Sequence, residues 1–521
     1  MIWVDREVNK IKERKLPLEW VDDMKTPSGR IHVGALRGVV IYDLVYKVLI
    51  ENKVNANYTY VFENHDPMDA IPSYFEQSKW EKYAGMQLYE VPSPEPGFKN
   101  YAEFYAKEFQ EVFESINCHP KIIWALDLYT SGKMNSAIKK VLDGAAKIRE
   151  IYYKVTKNVR PNDWFPFNAK CEKCQKIGTT QVYKWDGRFV YYRCLPNLVE
   201  WATGCGHQGK VSPFNGTGGK IPWKVEWAAK WQAIGVTIEG AGKDHMSKGG
   251  SYDIASAICK EVLDYPPPYP VAYEWFTVGG RKMSSSKGIG SSAKEVSEIL
   301  PPDVFRFLIV RAPIERAIDF HPEGDTIPNL FDDYDRCLNA YFDKIEKKIS
   351  DGKQGEVTLE FARITELSQV KPLPKKRLFL PRFRTIVNLT KTNKQNLIGF
   401  FEEIKKSPLT PEEKEILAER IVYAKKMLAG SQPAKTDFKL NENQKKFLRQ
   451  LADRLEKLKN PYREQIQQIV FDVLKQGNFK AKEAFQGFYQ VLTGQDSGPK
   501  AADLILNFGI EKIVKKTSRL N

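Results

Sequence analysis

A chain of 521 residues that is 42% hydrophobic and 12% aromatic can bury roughly three cores at about 150 residues per domain, which excludes a disordered or fibrous protein. No apolar run approaches the roughly 20 residues a bilayer-spanning helix needs, and MIWVDREVNKIKERK at the start lacks a signal-peptide core. A cytoplasmic protein without a membrane partner is therefore expected. The formal charge of +15 is uneven: residues 1–330 carry 43 Lys+Arg against 40 Asp+Glu, and residues 331–521 carry 37 against 25. A surplus of this kind at one end fits either a polyanionic partner or a solvated basic surface.

The first distinctive stretch is TPSGRIHVGALRG, Thr26 to Gly38. It leads into a periodic apolar segment, Leu36–Ile50, that predicts a helix, and NYTYVFEN at 57–64 then predicts a strand. Together they read as strand, glycine turn, helix, strand: a βαβ unit. At such a turn the backbone N–H groups and the helix dipole converge on one spot that attracts phosphate. His32 could donate to phosphate oxygens there, and Gly34 could let a flat base lie against the backbone. Taken alone, the same residues also make an ordinary turn.

Residues 75–165 read as mostly helical, broken by VPSPEPGF, and residues 166–220 read as a small turn-rich module. That module holds four of the seven cysteines: Cys171-x2-Cys174, then Cys194, then Cys205-Gly-His207. An odd cysteine total with no secretion signal points to a reduced, intracellular protein. The spacing points to a structural zinc ion on Cys171, Cys174, Cys205 and either Cys194 or His207, with redox use of Cys171 and Cys174 as the alternative.

Strand and helix signals return from Ile221 to Leu300 and include RKMSSSKG, Arg281–Gly288. Lys282 and Lys287 bracket three serines in a loop that could neutralise a triphosphate, or could be a solvated linker. After LPPDVFRFLIVRAP the chain is predicted helical to its end, with breaks at 373–381 and 430–437. KPLPKKRLFLPRFR, 371–384, is a basic patch that could face nucleic acid or solvent.

HVGA followed some 250 residues later by KMSSSKG resembles the two signature sequences, HIGH and KMSKS, of class I aminoacyl-tRNA synthetases. Ser285 takes the place of the second lysine, with Lys287 two residues on. TPSGRIHVG, the cysteine segment, GKIPWKVEWAAKW, GAGKDHMSKGGSYD and YEWFTVGG look like the class I lysyl-tRNA synthetases in particular. FYQVLTGQDSGPKAADLILNFGIEKI resembles their helical anticodon-binding end. The resemblance runs from about residue 20 to the end and is weakest over 75–165 and 340–440.

The resemblance implies a doubly wound Rossmann-like α/β catalytic domain over 1–300, interrupted by an insertion at 76–220 with a zinc module at 166–212. A helical junction would follow at 301–370 and an all-α anticodon-binding domain at 371–521. The implied reaction joins lysine to tRNA(Lys) through a lysyl-adenylate, consuming ATP with Mg2+ and releasing pyrophosphate and AMP. ATP would be held by Pro27, Ser28, Gly29, His32, Gly34, Asp244, His245, Met283, Ser284, Ser285, Ser286 and Lys287, with His32, Lys282 and Lys287 catalytic. Thr26, Trp227, His245 and Tyr273 match the lysine pocket, where each aromatic could equally be a core residue; Trp231 is assigned to the core. A monomer is favoured.

Some positions depart from the family pattern. The family usually reads SGxTPSG and HxGN, where this chain has Met24 for the glycine and Ala35 for the asparagine. In ENHDPMDAIP, Asp66, Pro67 and Pro72 match an acidic cluster of the family, Glu63 could stand in for one acid, and Asp69 falls where a basic residue is common. These departures surround the amino-acid pocket. They leave two alternatives: a class I synthetase or paralogue of another specificity, or a non-catalytic tRNA-binding protein.

Overall fold

The computed structural model describes residues 1–279, 284–285, 291–322, 324–392, 394–430, 440–458, 461–493 and 501–517. The chain forms two compact units, one of residues 1–384 and 401–423, the other of residues 385–400 and 424–521.

The first unit is organised by a five-stranded sheet of β1 (Glu19–Lys25), β2 (Ala56–Phe62), β3 (Lys121–Trp124), β9 (Ile238–Glu239) and β10 (Tyr269–Pro270). All pairings are parallel and the order is β3-β2-β1-β9-β10. The order reverses between β1 and β9, which is the doubly wound arrangement. Such a reversal leaves a crevice beyond the carboxyl ends of the two central strands, because the connecting segments diverge to opposite sides there. The edge strand β3 comes from within residues 76–220.

The helix Val33–Glu51 follows β1 and is buried on nearly every side from Leu36 to Val45, as a helix apolar all round must be. Its one buried base, Arg37, donates to the carbonyl oxygens of Glu274 (2.7 Å), Trp275 (2.9 Å), Pro313 (2.9 Å) and Arg316 (2.7 Å). These bonds fasten the small parallel pair β11 (Phe276–Val278) and β12 (Ile318–Phe320) beside the helix. β11 leads directly into the serine-lysine loop.

The cysteine module is a three-stranded antiparallel sheet of β5 (Thr180–Trp185), β6 (Val190–Cys194) and β7 (Gln208–Val211). It is closed at its base by the pair β4 (Asn168–Ala169) and β8 (Gly219–Lys220). Val182, Val190 and Tyr192 turn one face of the sheet into the same core as Trp231, Ile254 and Ile258.

The second unit is helical. Glu442–Leu455, Arg463–Gln476, Ala481–Thr493, Ala501–Phe508 and Ile510–Thr517 enclose a core that includes Phe447, Leu451, Ile466, Val470, Phe488 and Ile505. The first of these helices begins on Asn441, whose side chain accepts from Gln444 N–H while Gln444 reaches back to Asn441 N–H. That reciprocal cap satisfies two otherwise orphaned donors.

Candidate active site

The crevice at the strand reversal is a cavity of about 520 Å³ lined from both central strands and from the start of the long helix. β1 contributes Asp23, Met24 and Lys25, and β9 with its following turn contributes Glu239 to Gly242. Thr26, His32, Gly34, Asp244, His245, Trp227 and Tyr273, all singled out from sequence, line it together.

The glycine turn and the serine-lysine loop, some 250 residues apart in sequence, meet here. Val33 N–H donates to Ser291 O (3.1 Å) and Ala293 N–H to Ile31 O (2.9 Å). His32 N–H donates to Ser285 Oγ at 3.1 Å. Gly29 has φ +152°, and a Cβ there would lie 2.5 Å from Ser285 O. At Gly34 a Cβ would lie 2.9 Å from Phe276 O, so this glycine lets β11 close against the helix start. Pro27 and Ser28 are buried beneath the turn, and Ser28 O accepts from Tyr101 O–H at 3.1 Å. Lys282, Met283, Ser286 and Lys287 lie outside the described residues.

His32 occupies the N-cap of the helix Val33–Glu51. Burial, reinforced by the positive charge of Lys25, lowers its imidazole to about 3. It is therefore neutral at pH 7 and carries one N–H donor and one lone pair. Asp244 and His245 form the short turn after β9; His245 packs edge-on to Trp223 with ring centroids 5.5 Å apart.

The floor of the cavity is strongly charged, and much of that charge escapes sequence reading. Lys230 bridges Glu63 and Glu226, and Lys220 bridges Glu226 and Asp66, all within the interior. Tyr129 O–H donates to Glu226, and Thr26 Oγ1–H donates to Asp66 Oδ2 at 2.6 Å. Glu63, placed by sequence as a stand-in acid, is thus the partner of a buried lysine. Although burial opposes it, the ammonium groups of Lys220 and Lys230 hold Glu226 below its ordinary range. Glu239 accepts the indole N–H groups of Trp227 (2.6 Å) and Trp231 (2.5 Å), one on each oxygen. Trp231 is fully buried, in keeping with its assignment to the core, but its N–H also orients a cavity acid.

Asp23 enters the cavity from the end of β1. Its Oδ1 accepts from Met24 N–H at 2.8 Å. Its Oδ2 lies beside Tyr273 O–H, both within 2.7 Å of where Gly38 would carry a Cβ. Burial, partly offset by the Met24 N–H and Lys25, raises its carboxyl to about 7. In all, seven carboxylates and two lysines line the cavity, together with Tyr60, Trp223, Trp227, Tyr273, Trp275 and Phe276. An acidic, aromatic chamber of this size accommodates a compact organic cation.

With the two loops joined over a cavity at the strand reversal, comparison with known proteins becomes decisive. Residues 1–371 match the family described as tRNA synthetases class I (K), and residues 388–520 match an anticodon binding domain. The chain belongs to the class I (K) tRNA synthetase family. A curated lysine–tRNA ligase of Methanosarcina barkeri is 32% identical, with 94% of this chain and 92% of that protein covered. The lysine–tRNA ligase of Methanocaldococcus jannaschii is also 32% identical, covering 99% of each chain, and that of Archaeoglobus fulgidus is 31% identical, covering 93% of each. This class I (K) synthetase therefore combines a Rossmann-like catalytic unit with a helical anticodon-binding end.

The synthetase's second site is the cysteine cluster. The sulfurs of Cys171, Cys174, Cys194 and Cys205 all lie within 4.8 Å of one another, with Cys171–Cys205 and Cys174–Cys194 at 3.6 Å. A tetrahedral zinc ion with Zn–S near 2.3 Å separates its sulfurs by about 3.8 Å, so the donor set and spacing fit that ion. His207 is not among them: its Nε2 meets Glu172 Oε1 at 2.7 Å. Of the two candidates for the fourth ligand, geometry favours Cys194, because its sulfur lies 3.6 Å from that of Cys174 while the His207 ring is engaged by Glu172.

Among the described residues no helix is long and apolar enough to cross a membrane.

Proposed function

We propose that this class I (K) synthetase ligates lysine to tRNA(Lys) in the cytoplasm, through a lysyl-adenylate formed from ATP. The observation that carries the amino acid is the cavity at the strand reversal, whose carboxylates outnumber its lysines seven to two beside the joined signature loops. The relatives named lysine–tRNA ligase support the same reading.

Asp23 and Tyr273, with Glu239 behind them, supply the negative and hydrogen-bonding end for the lysine ε-ammonium, and Trp227 supplies an aromatic wall. Thr26, tied to Asp66, and His245 border the same space. The backbone of the Pro27–Gly29 turn and a neutral His32 face the ATP phosphates, and Gly34 and Asp244 border the nucleoside. Mg2+ accompanies ATP, supplying charge neutralisation on the phosphates. Lys282 and Lys287 keep the phosphate role their motif implies. In the first step the lysine carboxylate oxygen attacks the α-phosphorus and pyrophosphate leaves; in the second a hydroxyl of the tRNA 3′-terminal ribose attacks the carbonyl carbon and AMP leaves. The chain's contribution is to orient both partners and to receive developing charge on fixed donors. The four-cysteine knuckle holds a structural Zn2+, its positions all filled by protein.

ATP–pyrophosphate exchange with each amino acid in turn, with and without tRNA, tests the reading. Exchange with lysine is expected; its absence even with tRNA present overturns the assignment.

A further inference from the structure

The chamber that suits an ammonium group is hostile to the other end of the amino acid. Seven carboxylates line it, yet both groups that must react there, the amino-acid carboxylate and the α-phosphate of ATP, are anions. Bringing two anions together inside an acidic cavity calls for a cation at their meeting point.

His32 does not supply that charge, since burial lowers its imidazole to about 3 and leaves it neutral. Two lysines line the cavity. Lys230 is committed to Glu63 and Glu226. Lys25 is not: among the described residues its ammonium forms no ion pair and donates no hydrogen bond.

The backbone of Lys25 is firmly placed. It ends β1 opposite Phe62, and its carbonyl oxygen accepts from Glu63 N–H at 3.0 Å. The next residue, Thr26, is tied to Asp66 and opens the glycine turn. From this root the Lys25 charge is felt on both sides of the site. It acts on His32 at the turn, on Asp23 at the ammonium end, and on Asp244 beside the nucleoside, as well as on Asp66 and Asp69. Burial lowers the ammonium from the ordinary lysine range, and these four aspartates oppose the drop. An ammonium with three N–H donors on a flexible stem can span two oxygens from such a place. The family pattern SGxTPSG leaves the position of Lys25 open.

We propose that Lys25 is a catalytic residue of adenylate formation, its ammonium binding the substrate carboxylate and a non-bridging oxygen of the α-phosphate together. The proposal rests on the ligase reading above. A carboxylate oxygen of lysine forms a bond to the α-phosphorus, the bond from that phosphorus to the bridging oxygen breaks, and its electron pair leaves on pyrophosphate. No proton moves; Lys25 stays an ammonium and offsets the charge of the oxygens brought together.

Lysinol, which keeps both amines of lysine but carries a hydroxymethyl group for the carboxylate, separates this role from that of a mere counter-ion to the acids. By calorimetry, wild type should bind lysine at least about tenfold more tightly than lysinol, as a charge-assisted contact provides. In full-length Lys25→Met, lysine affinity should fall to that of lysinol while lysinol affinity does not fall. The kcat of lysine-dependent pyrophosphate exchange, with tRNA present, should drop at least about a hundredfold. Lys25→Arg keeps the charge and should recover part of both losses. Melting temperatures equal to wild type establish that the variants are folded. Equal affinity of wild type for the two ligands overturns the proposal whatever the variants do. So does a loss of the same size for both ligands in Lys25→Met, an unchanged kcat there, or tighter lysine binding, the result if Lys25 only holds the place of the substrate ammonium. The ligase reading fails separately, by wild-type protein that exchanges pyrophosphate with another amino acid and not with lysine.

Discussion

Gly29 and Asp23 are the two residues on which the active site makes its sharpest demands. Gly29 combines a positive φ with Ser285 O in the space a side chain needs. Gly29→Ala should push the two signature loops apart and lower lysine-dependent pyrophosphate exchange by at least about a hundredfold, since small misplacements of reacting groups carry losses of that size. Asp23 titrates near 7 in the unliganded protein. Because its folded value is raised, its ionisation destabilises the empty protein as pH climbs from the ordinary carboxylate range toward 7. A bound ammonium needs the ionised form, so the KM for lysine should fall as pH rises through about 7. Asp23→Asn should raise that KM at least tenfold and abolish the pH dependence. Lys230→Met leaves Glu63 and Glu226 short of a cation in the interior and should lower stability by about 3–5 kcal/mol in denaturant unfolding. The histidine and glycines of the first loop were legible because local spacing encodes a turn. Lys220, Lys230 and Glu239 were not, since each reads as an ordinary surface charge until its distant partner is in place.

Elements differed in how plainly they announced themselves. The helix predicted at 36–50 extends over Val33–Glu51, and the strand predicted at 57–64 spans Ala56–Phe62, because apolar periodicity and β-branched content are local signals. β1 gives no comparable signal: EWVDDMK places two aspartates in the centre of a parallel sheet, where acids are uncommon. Its place is set by β2 and β9 on either side and by the cavity at its end. The cysteine module was visible from four cysteines close together in sequence, whereas which of Cys194 and His207 lies with the other three sulfurs depended on the path of β6 and β7. Zinc near one equivalent per chain is therefore expected by metal analysis. His207→Ala should retain it, and Cys194→Ser should lose it and lower the melting temperature by several degrees, as removal of a structural metal does.

The whole molecule joins a nearly neutral first part to a basic last third. A ligand of dense negative charge should feel that asymmetry. Affinity for tRNA should fall by more than tenfold between about 50 and 200 mM salt, measured by filter binding or anisotropy. The sequence by itself determined that two short motifs resemble a synthetase signature pair, that four cysteines share a ligand-like spacing, and that the end of the chain is helical. All three depend on residues close in sequence, whose spacing is read directly as turn, ligand pair or helix face. Only the tertiary structure decided that the first loop hydrogen-bonds to Ser285, that the sulfur of Cys194 lies with those of Cys171, Cys174 and Cys205, and that acids from β1, from the segment after β2, from β9 and from the helix Trp223–Ile234 converge on one cavity. Those facts follow from strand order and burial. A charged residue becomes a ligand, a counter-ion or a proton reservoir only when segments far apart in the chain remove it from water together.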